Sequence, residues 1–271
     1  MEQENTYNSI PLLIACGALL FIVGALVTYI FVSPQLIEVT ADPNVQESDI
    51  AKKDDPYSWQ APENYEAEPP VYADIISLPE PDVVGSMPVE TALQARRTVR
   101  SFSEESLSID DVSQMLWAGI GVTGDDGKRT APSRGGENPT RLFLVVDNVT
   151  DLEPGLYEYL EDRHALGVVR KGDHSSEWES ITHQPYPMNA PAVILISGDM
   201  YKQYYRYGDT SERLVLQESG HIGQNLYLQA ETRGLGLVVM GGFDTVAGQQ
   251  FLGTLPNEPV VYLVPFGHRG E

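Results

Sequence analysis

Cys16 is the only cysteine, so no intramolecular disulfide can form, and its place inside an apolar run excludes thiol chemistry from the folded part of the chain. Positive charge is scarce. Five lysines and twelve arginines stand against 39 acidic residues, giving a formal charge of -22. A surface of that sign repels phosphates in general, which argues against nucleic acid and anionic lipid as partners; only a local basic pocket can hold such a group. The excess is not confined to one segment. Residues 33–90 carry 13 acids and 2 bases, and residues 91–271 still carry 24 against 15, the balance of a salt-adapted surface. The five histidines, at 164, 174, 183, 221 and 268, show no paired ligand spacing, so no metal site is expected. There is no Walker lysine loop, and Ser133 lacks the GxSxG frame of a nucleophilic serine. Gly119-Ile120-Gly121-Val122-Thr123-Gly124 satisfies GxGxxG, but a helical pattern precedes it and the turn Asp125-Asp126-Gly127 follows, the wrong context for a Rossmann site.

What is present begins with residues 10–32, 23 positions without a charged side chain, long enough at ~1.5 Å per residue to cross a ~30 Å hydrocarbon core. They are expected to form one transmembrane helix behind a short tail, residues 1–9. Two alternatives compete: a cleaved signal peptide, for which residues 1–9 lack the basic stretch, and a lipoprotein signal, which Leu13-Ile14-Ala15-Cys16 would fit. The apolar run continues well past Cys16, which favours the uncleaved helix. Residues 33–70 are acidic and broken by Pro34, Pro43, Pro56, Pro62, Pro69 and Pro70, the composition of a disordered tether. A folded domain is expected over 71–271.

Within that domain Pro88 can open a helix that carries Ala92 and Leu93, and Ser108 with Asp111 reads as a capping box for a second helix running through Trp117. Apolar strands are expected at 141–146, 192–197, 235–240 and 259–264, with a hairpin at 156–159 and 166–169. The longest helix is expected over 210–233, stopped by Gly234, with Gly220 and Gly223 marking close packing. The fold class is α+β, a central sheet with helices on both faces.

Three segments carry the chemistry. Arg96-Arg97-Thr98-Val99-Arg100 concentrates guanidinium donors, which match phosphate oxygens, around a hydroxyl. Pro132-Ser133-Arg134-Gly135-Gly136 lets backbone approach a planar ligand, and Gly241-Gly242, after an apolar strand, can aim two amide donors at ring acceptors. Together they suggest a flavin nucleotide site, which needs a hydrogen bond at N5 and a donor near O4. The aromatic cluster Tyr201, Tyr204, Tyr205 and Tyr207, with Lys202 and Arg206, reads either as a substrate-lining lid or as packing.

In order and spacing these segments resemble the nitroreductase superfamily of FMN enzymes, and within it the SagB-type dehydrogenases related to thiazoline and oxazoline oxidases. The likeness rests on Leu78-Pro79-Glu80-Pro81, residues 96–102, Leu116-Trp117-Ala118-Gly119, residues 129–133, Gly155-Leu156-Tyr157, Gly220-His221, Gln224-Asn225-Leu226 and residues 234–243. The resemblance implies a homodimer with FMN at the subunit interface. It implies that Arg96, Arg97, Thr98 and Arg100 hold the phosphate and ring edge, that Pro132, Ser133, Arg134, Gly135 and Gly136 line the ring, and that Gly241 and Gly242 donate to N5 and O4. It also raises Arg269 as a substitute for a basic residue that relatives place near the C-terminus. Azoline-oxidising relatives use a Lys-Tyr pair near positions 206–207. Arg206 stays protonated and cannot be a base, so Tyr207 and Lys202 are the catalytic candidates. The implied activity is hydride transfer at flavin N5 on a small-molecule or peptide substrate, with NAD(P)H as a candidate donor. The alternatives are a NAD(P)H-dependent nitro or quinone reductase and a non-catalytic, membrane-tethered flavin-binding protein.

The tail holds Glu2 and Glu4 and no Lys or Arg, so its translocation, with the catalytic domain left in the cytoplasm, agrees with the positive-inside bias. Asn148-Val149-Thr150, a glycosylation pattern, and the Cys16 box point the other way. Protease added to right-side-out vesicles should leave residues 33–70 uncut; cleavage there would place the domain outside.

Overall fold

The computed structural model describes residues 71–270. The expected tail, transmembrane helix and tether, residues 1–70, lie outside the described residues, and no helix among those described is long and apolar enough to cross a membrane.

Seven strands form one antiparallel sheet in the order β1-β4-β3-β2-β5-β7-β6. They are β1 (Ile75–Ser77), β2 (Thr140–Val146), β3 (Gly155–Leu160), β4 (Ala165–Lys171), β5 (Ala192–Gly198), β6 (Leu235–Leu237) and β7 (Val260–His268). Among the described residues six α-helices accompany them: α1 (Val89–Ala95), α2 (Ile109–Ile120), α3 (Trp178–Ile181), α4 (Met200–Tyr207), α5 (Ser211–Thr232) and α6 (Thr245–Leu252). The alternation of strand side chains sorts the core into two layers. Leu142, Leu144 and Val146 of β2 pack with Met115 and Leu116 of α2 and with Ile222 and Leu226 of α5. Phe143 and Val145 pack on the other face with Trp178 and Ile181 of α3 and Phe251 of α6. Both faces of β2 and β5 are covered, which is why their sequences are apolar almost throughout.

The expected helices form from the expected signals, with one change at α2. The Ser108 hydroxyl accepts from the Asp111 N–H at 3.1 Å, as a cap should. The Asp111 carboxylate accepts from the Ser108 hydroxyl at 2.6 Å and from Arg233 Nε at 2.8 Å, so it joins α2 to the end of α5. Gly234, at φ 70°, ends α5 in the left-handed region. The close packing expected at Gly220 and Gly223 does not require glycine: a methyl at Gly223 would lie 3.4 Å from Val239, an ordinary contact, and Gly220 faces open space. The glycines of the GxGxxG stretch serve packing: Gly119 lies inside α2, where a methyl would meet Leu142 at 2.7 Å, and Gly121 lies against Trp117.

The strand expected over 235–240 is shorter. Its regular ladder with β7 stops at Leu237 and is rejoined by one bridge between Met240 and Leu263. Backbone pairing nonetheless keeps one register with β7, Val238 N–H donating to the Pro265 carbonyl at 3.3 Å and Met240 pairing with Leu263, while the Val239 N–H, which alternation points away from β7, donates to the Tyr227 hydroxyl at 3.2 Å.

Between β2 and β3 sits a half-buried charge centre. Arg141 donates through Nε and Nη2 to Glu158, and through Nη1 to Glu258 at 2.8 Å; Glu158 also accepts from Tyr72 and Glu258 from Ser197. Burial pushes the Glu258 carboxyl up, against the pull of Arg141, and burial together with Glu158 raises the Tyr72 phenol. Arg141→Met would strand two buried carboxylates. It should cost about 3–5 kcal/mol in urea unfolding at pH 7, and the deficit should shrink toward pH 5 because the stranded acids can then take up protons. A pH-independent deficit would show that lost packing, not charge, is responsible.

Candidate functional site

The basic stretch 96–100 runs from the end of α1 alongside β6. Thr98 bridges Leu237, and the Val99 N–H donates to the Leu237 carbonyl at 2.9 Å. Val99 sits over Gly236, where a methyl would come within 2.6 Å of it. The next turn of backbone pairs with the end of β7, Ser103 N–H to the His268 carbonyl at 3.0 Å and Gly270 N–H to the Ser101 carbonyl at 2.9 Å. Backbone pairing therefore carries Arg96, Thr98 and Arg269 to the C-terminal turns of α5.

Two α5 residues, four apart and hence on one face, receive them. The Tyr227 hydroxyl lies 3.0 Å from Thr98 Oγ1, and the Arg96 guanidinium carbon lies 5.0 Å from the Tyr227 ring centre. Glu231 accepts from the Arg97 N–H at 3.3 Å and from Arg269 Nη2 at 2.6 Å. Arg97 turns its guanidinium back onto the carbonyls of Gln94 and Arg96, at 3.0 and 2.7 Å, and caps the end of α1. Arg100 lies over Tyr186, 5.8 Å from the ring centre, at the rim of a cavity of about 400 Å³ shared with Asn148 and Asn189. Neither Arg96 nor Arg100 is paired with a carboxylate among the described residues. A tyrosine face steadies a guanidinium without consuming its N–H donors, so both keep donors for an anion.

Gly241 and Gly242 follow Val239 by two and three residues of extended chain, about 7–10 Å. Both are exposed, a methyl on Gly242 would meet nothing within 4 Å, and neither N–H has an acceptor among the described residues. Basic groups and two open amide donors thus flank one surface of α5 and β6.

The loop 132–136 belongs to a second cluster. Gly135 and Gly136 take φ of 68° and 73°, and the Ser133 hydroxyl accepts from the Asn138 N–H at 2.9 Å. Glycine is required at 135 because a methyl would collide with the Tyr207 hydroxyl and with Arg206. Tyr207 is flanked by two guanidiniums, Arg134 at 5.3 Å and Arg206 at 5.5 Å, and Glu137 binds Arg206 at 2.8 Å and holds it above its ordinary range. Lys202 donates to the Asn138 carbonyl at 3.0 Å and borders an open cavity of about 820 Å³ with Asp199 and Arg141. Five helical residues separate Lys202 from Tyr207, which places them about 140° apart around α4. They do not converge. Ser211, where α5 starts, lies about 24 Å along the helix axis from Tyr227, so the α4 cluster and the basic cluster sit toward opposite ends of α5.

The description Nitroreductase family belongs to a family model that matches residues 93–268, every strand but β1. The chain belongs to the nitroreductase family. That family comprises FMN-dependent oxidoreductases, so the chain is an enzyme of the oxidoreductase class. A nitroreductase-named protein of Methanocaldococcus jannaschii is 34% identical over 199 residues, covering 73% of this chain and 99% of that one. A nitroreductase structure from Ralstonia eutropha JMP134 is 25% identical with a TM-score of 0.63, covering 76% of this chain and 97% of the other. A chain of the Escherichia coli microcin synthetase McbBCD complex, solved with truncated pro-MccB17 bound, shares the fold at a TM-score of 0.58 and 20% identity, covering 77% and 80%.

Tyr227, Glu231 and Tyr186 escape sequence reasoning, because their partners lie far away along the chain. Asp199 also carried a signal that went unread: as an N-cap it accepts from the Tyr201 and Lys202 N–H groups and makes the tyrosine cluster helical. If Arg96 keeps its donors for the ligand, Arg96→Ala should weaken flavin retention tenfold to a hundredfold, about 1.5–3 kcal/mol. Arg97→Ala, which removes a helix cap, should change it by a factor of about three or less. Equilibrium dialysis of both variants checks this; equal losses would put Arg97 in the site as well.

Proposed function

We propose that the chain binds FMN on the α5–β6 surface and acts as an FMN-dependent oxidoreductase of the SagB-dehydrogenase type, working as a homodimer. The observation that carries the flavin reading is the convergence on Tyr227 and Glu231 of three pieces distant in sequence: Arg96 with Thr98, Arg269, and the strand that leads to the open amides of Gly241 and Gly242. One anion and one planar ring with acceptors fit that spacing. Bound FMN would supply a hydride acceptor and donor at N5. Arg96 and Thr98 would hold the phosphate, and Arg100 the ring edge. The Gly241 and Gly242 N–H groups would donate to the ring and favour its anionic reduced form.

The dimer reading rests on two further observations. Loop 132–136 is remote from the basic cluster of its own chain, so a second copy would have to supply the glycine wall on the other side of the ring. In addition α1 exposes Val89 (55%) and Leu93 (52%) beside a groove of about 330 Å³ lined by Met87, Trp117 and Leu228, an apolar patch that a monomer has no reason to keep.

A second reading, a NAD(P)H-dependent nitro or quinone reductase, is favoured by the divergence of Lys202 and Tyr207, since a Lys-Tyr acid–base pair needs both at one point. Rapid anaerobic bleaching by NADH or NADPH would select it; bleaching by an azoline-like donor alone would select the dehydrogenase.

The detergent-extracted full chain should release FMN, identified by mass, and scatter light as two chains per particle. Leu93→Glu should return monomers that have lost the flavin. Recovery of FAD, or a flavin-loaded monomer, would refute this assembly.

A further inference from the structure

Tyr227 joins the two ends of the candidate site through one oxygen atom. That oxygen accepts the Val239 N–H at 3.2 Å and lies 3.0 Å from Thr98 Oγ1. A phenol has one proton to give and two lone pairs, as a threonine hydroxyl does. Suppose Thr98 donates to Tyr227. The phenol proton then has no acceptor among the described residues, and the Thr98 hydroxyl has no proton left for a ligand. In the opposite direction the proton left over sits on Thr98, the exposed partner, where a ligand can take it: Val239 N–H to Tyr227, Tyr227 O–H to Thr98, and the Thr98 proton outward.

We propose that Tyr227 is a positioning residue that sets the Thr98 hydroxyl as a hydrogen-bond donor to the flavin phosphate, at the end of a one-way chain Val239 to Tyr227 to Thr98. This rests on the flavin reading above and adds to it the direction of one contact and the residue that imposes it. Chained hydrogen bonds polarise one another, so the Thr98 proton becomes a better donor than that of an isolated hydroxyl. Arg96 lies against the ring of the same tyrosine, so one side chain orients both a neutral and a charged donor. Val239 precedes Gly241 by two residues, so the phenol also ties the anion end of the site to the glycine amides.

The test uses the full chain stripped of flavin and titrated with FMN and with riboflavin, which has the same ring and no phosphate. Tyr227→Phe keeps the ring under Arg96 and removes only the hydroxyl. It should weaken FMN about tenfold, leave riboflavin unchanged and leave the thermal midpoint close to that of the unaltered protein. Thr98→Val should do the same, and the double variant should be no weaker than Thr98→Val alone, because both remove one chain of bonds. Equal losses for FMN and riboflavin would reduce Tyr227 to packing and overturn the proposal, as would unchanged FMN affinity or additive losses. If the unaltered protein takes up neither ligand, the flavin reading itself falls, and the relay with it.

Discussion

Cations are scarce in this chain, and where each one is held decides what the domain can bind. Acidic side chains outnumber basic ones by more than two to one, so an arginine placed at random has a carboxylate within reach. Half are taken up in that way. Arg129, Arg141, Arg163, Arg206, Arg233 and Arg269 all pair with Glu or Asp. Arg96 and Arg100 have no carboxylate partner among the described residues, and each lies on a tyrosine. An aromatic face steadies a guanidinium without using its N–H donors, so these two arginines keep donors open on a surface that repels anions elsewhere.

The same economy of charge explains the centre at Arg141. Half-buried between strands, it is flanked by two carboxylates whose desolvation it must offset, and Tyr72 and Ser197 satisfy lone pairs that it does not reach. This centre lies on the face of the sheet away from α5. The two arginine clusters therefore differ, one holding strands together through closed pairs, the other with donors that carboxylates do not occupy.

Much of the architecture was legible in the sequence because its signals are local. The apolar runs of β2 and β5, the β3–β4 hairpin, the Ser108 cap and the Gly234 stop all act within a few residues, and all appear where expected. What was not legible depends on distant partners. β1 is three residues long and exists because β4 pairs with it. The strand over 235–240 keeps one backbone register with β7, but nothing near Val239 announces that a tyrosine twelve residues earlier will take its outward N–H. The basic stretch, the glycine pair and the loop at 132–136 were each visible. That the first two share a surface while the third lies elsewhere with Tyr207 follows from the path of α5 between them. The expected pairing of Lys202 with Tyr207 needed the helical phase of α4, and the Asp199 cap that fixes this phase was overlooked.

The position of β7 has a consequence for the order in which the protein takes shape. β7 is made after the six other strands of the described sheet, yet it lies between β5 and β6 and is, among the described residues, the one strand to which β6 pairs. Until it arrives, β6 has no sheet to join, Arg269 is not yet made, and the glycine turn after Val239 has no fixed relation to the basic stretch. The nascent chain can build the β3–β4–β2–β5 half of the sheet early, since those contacts are nearly sequential. The proposed anion site would be a late product of synthesis, so a chain stalled before β7 would emerge with a partial core and without Arg269 to complete the basic cluster.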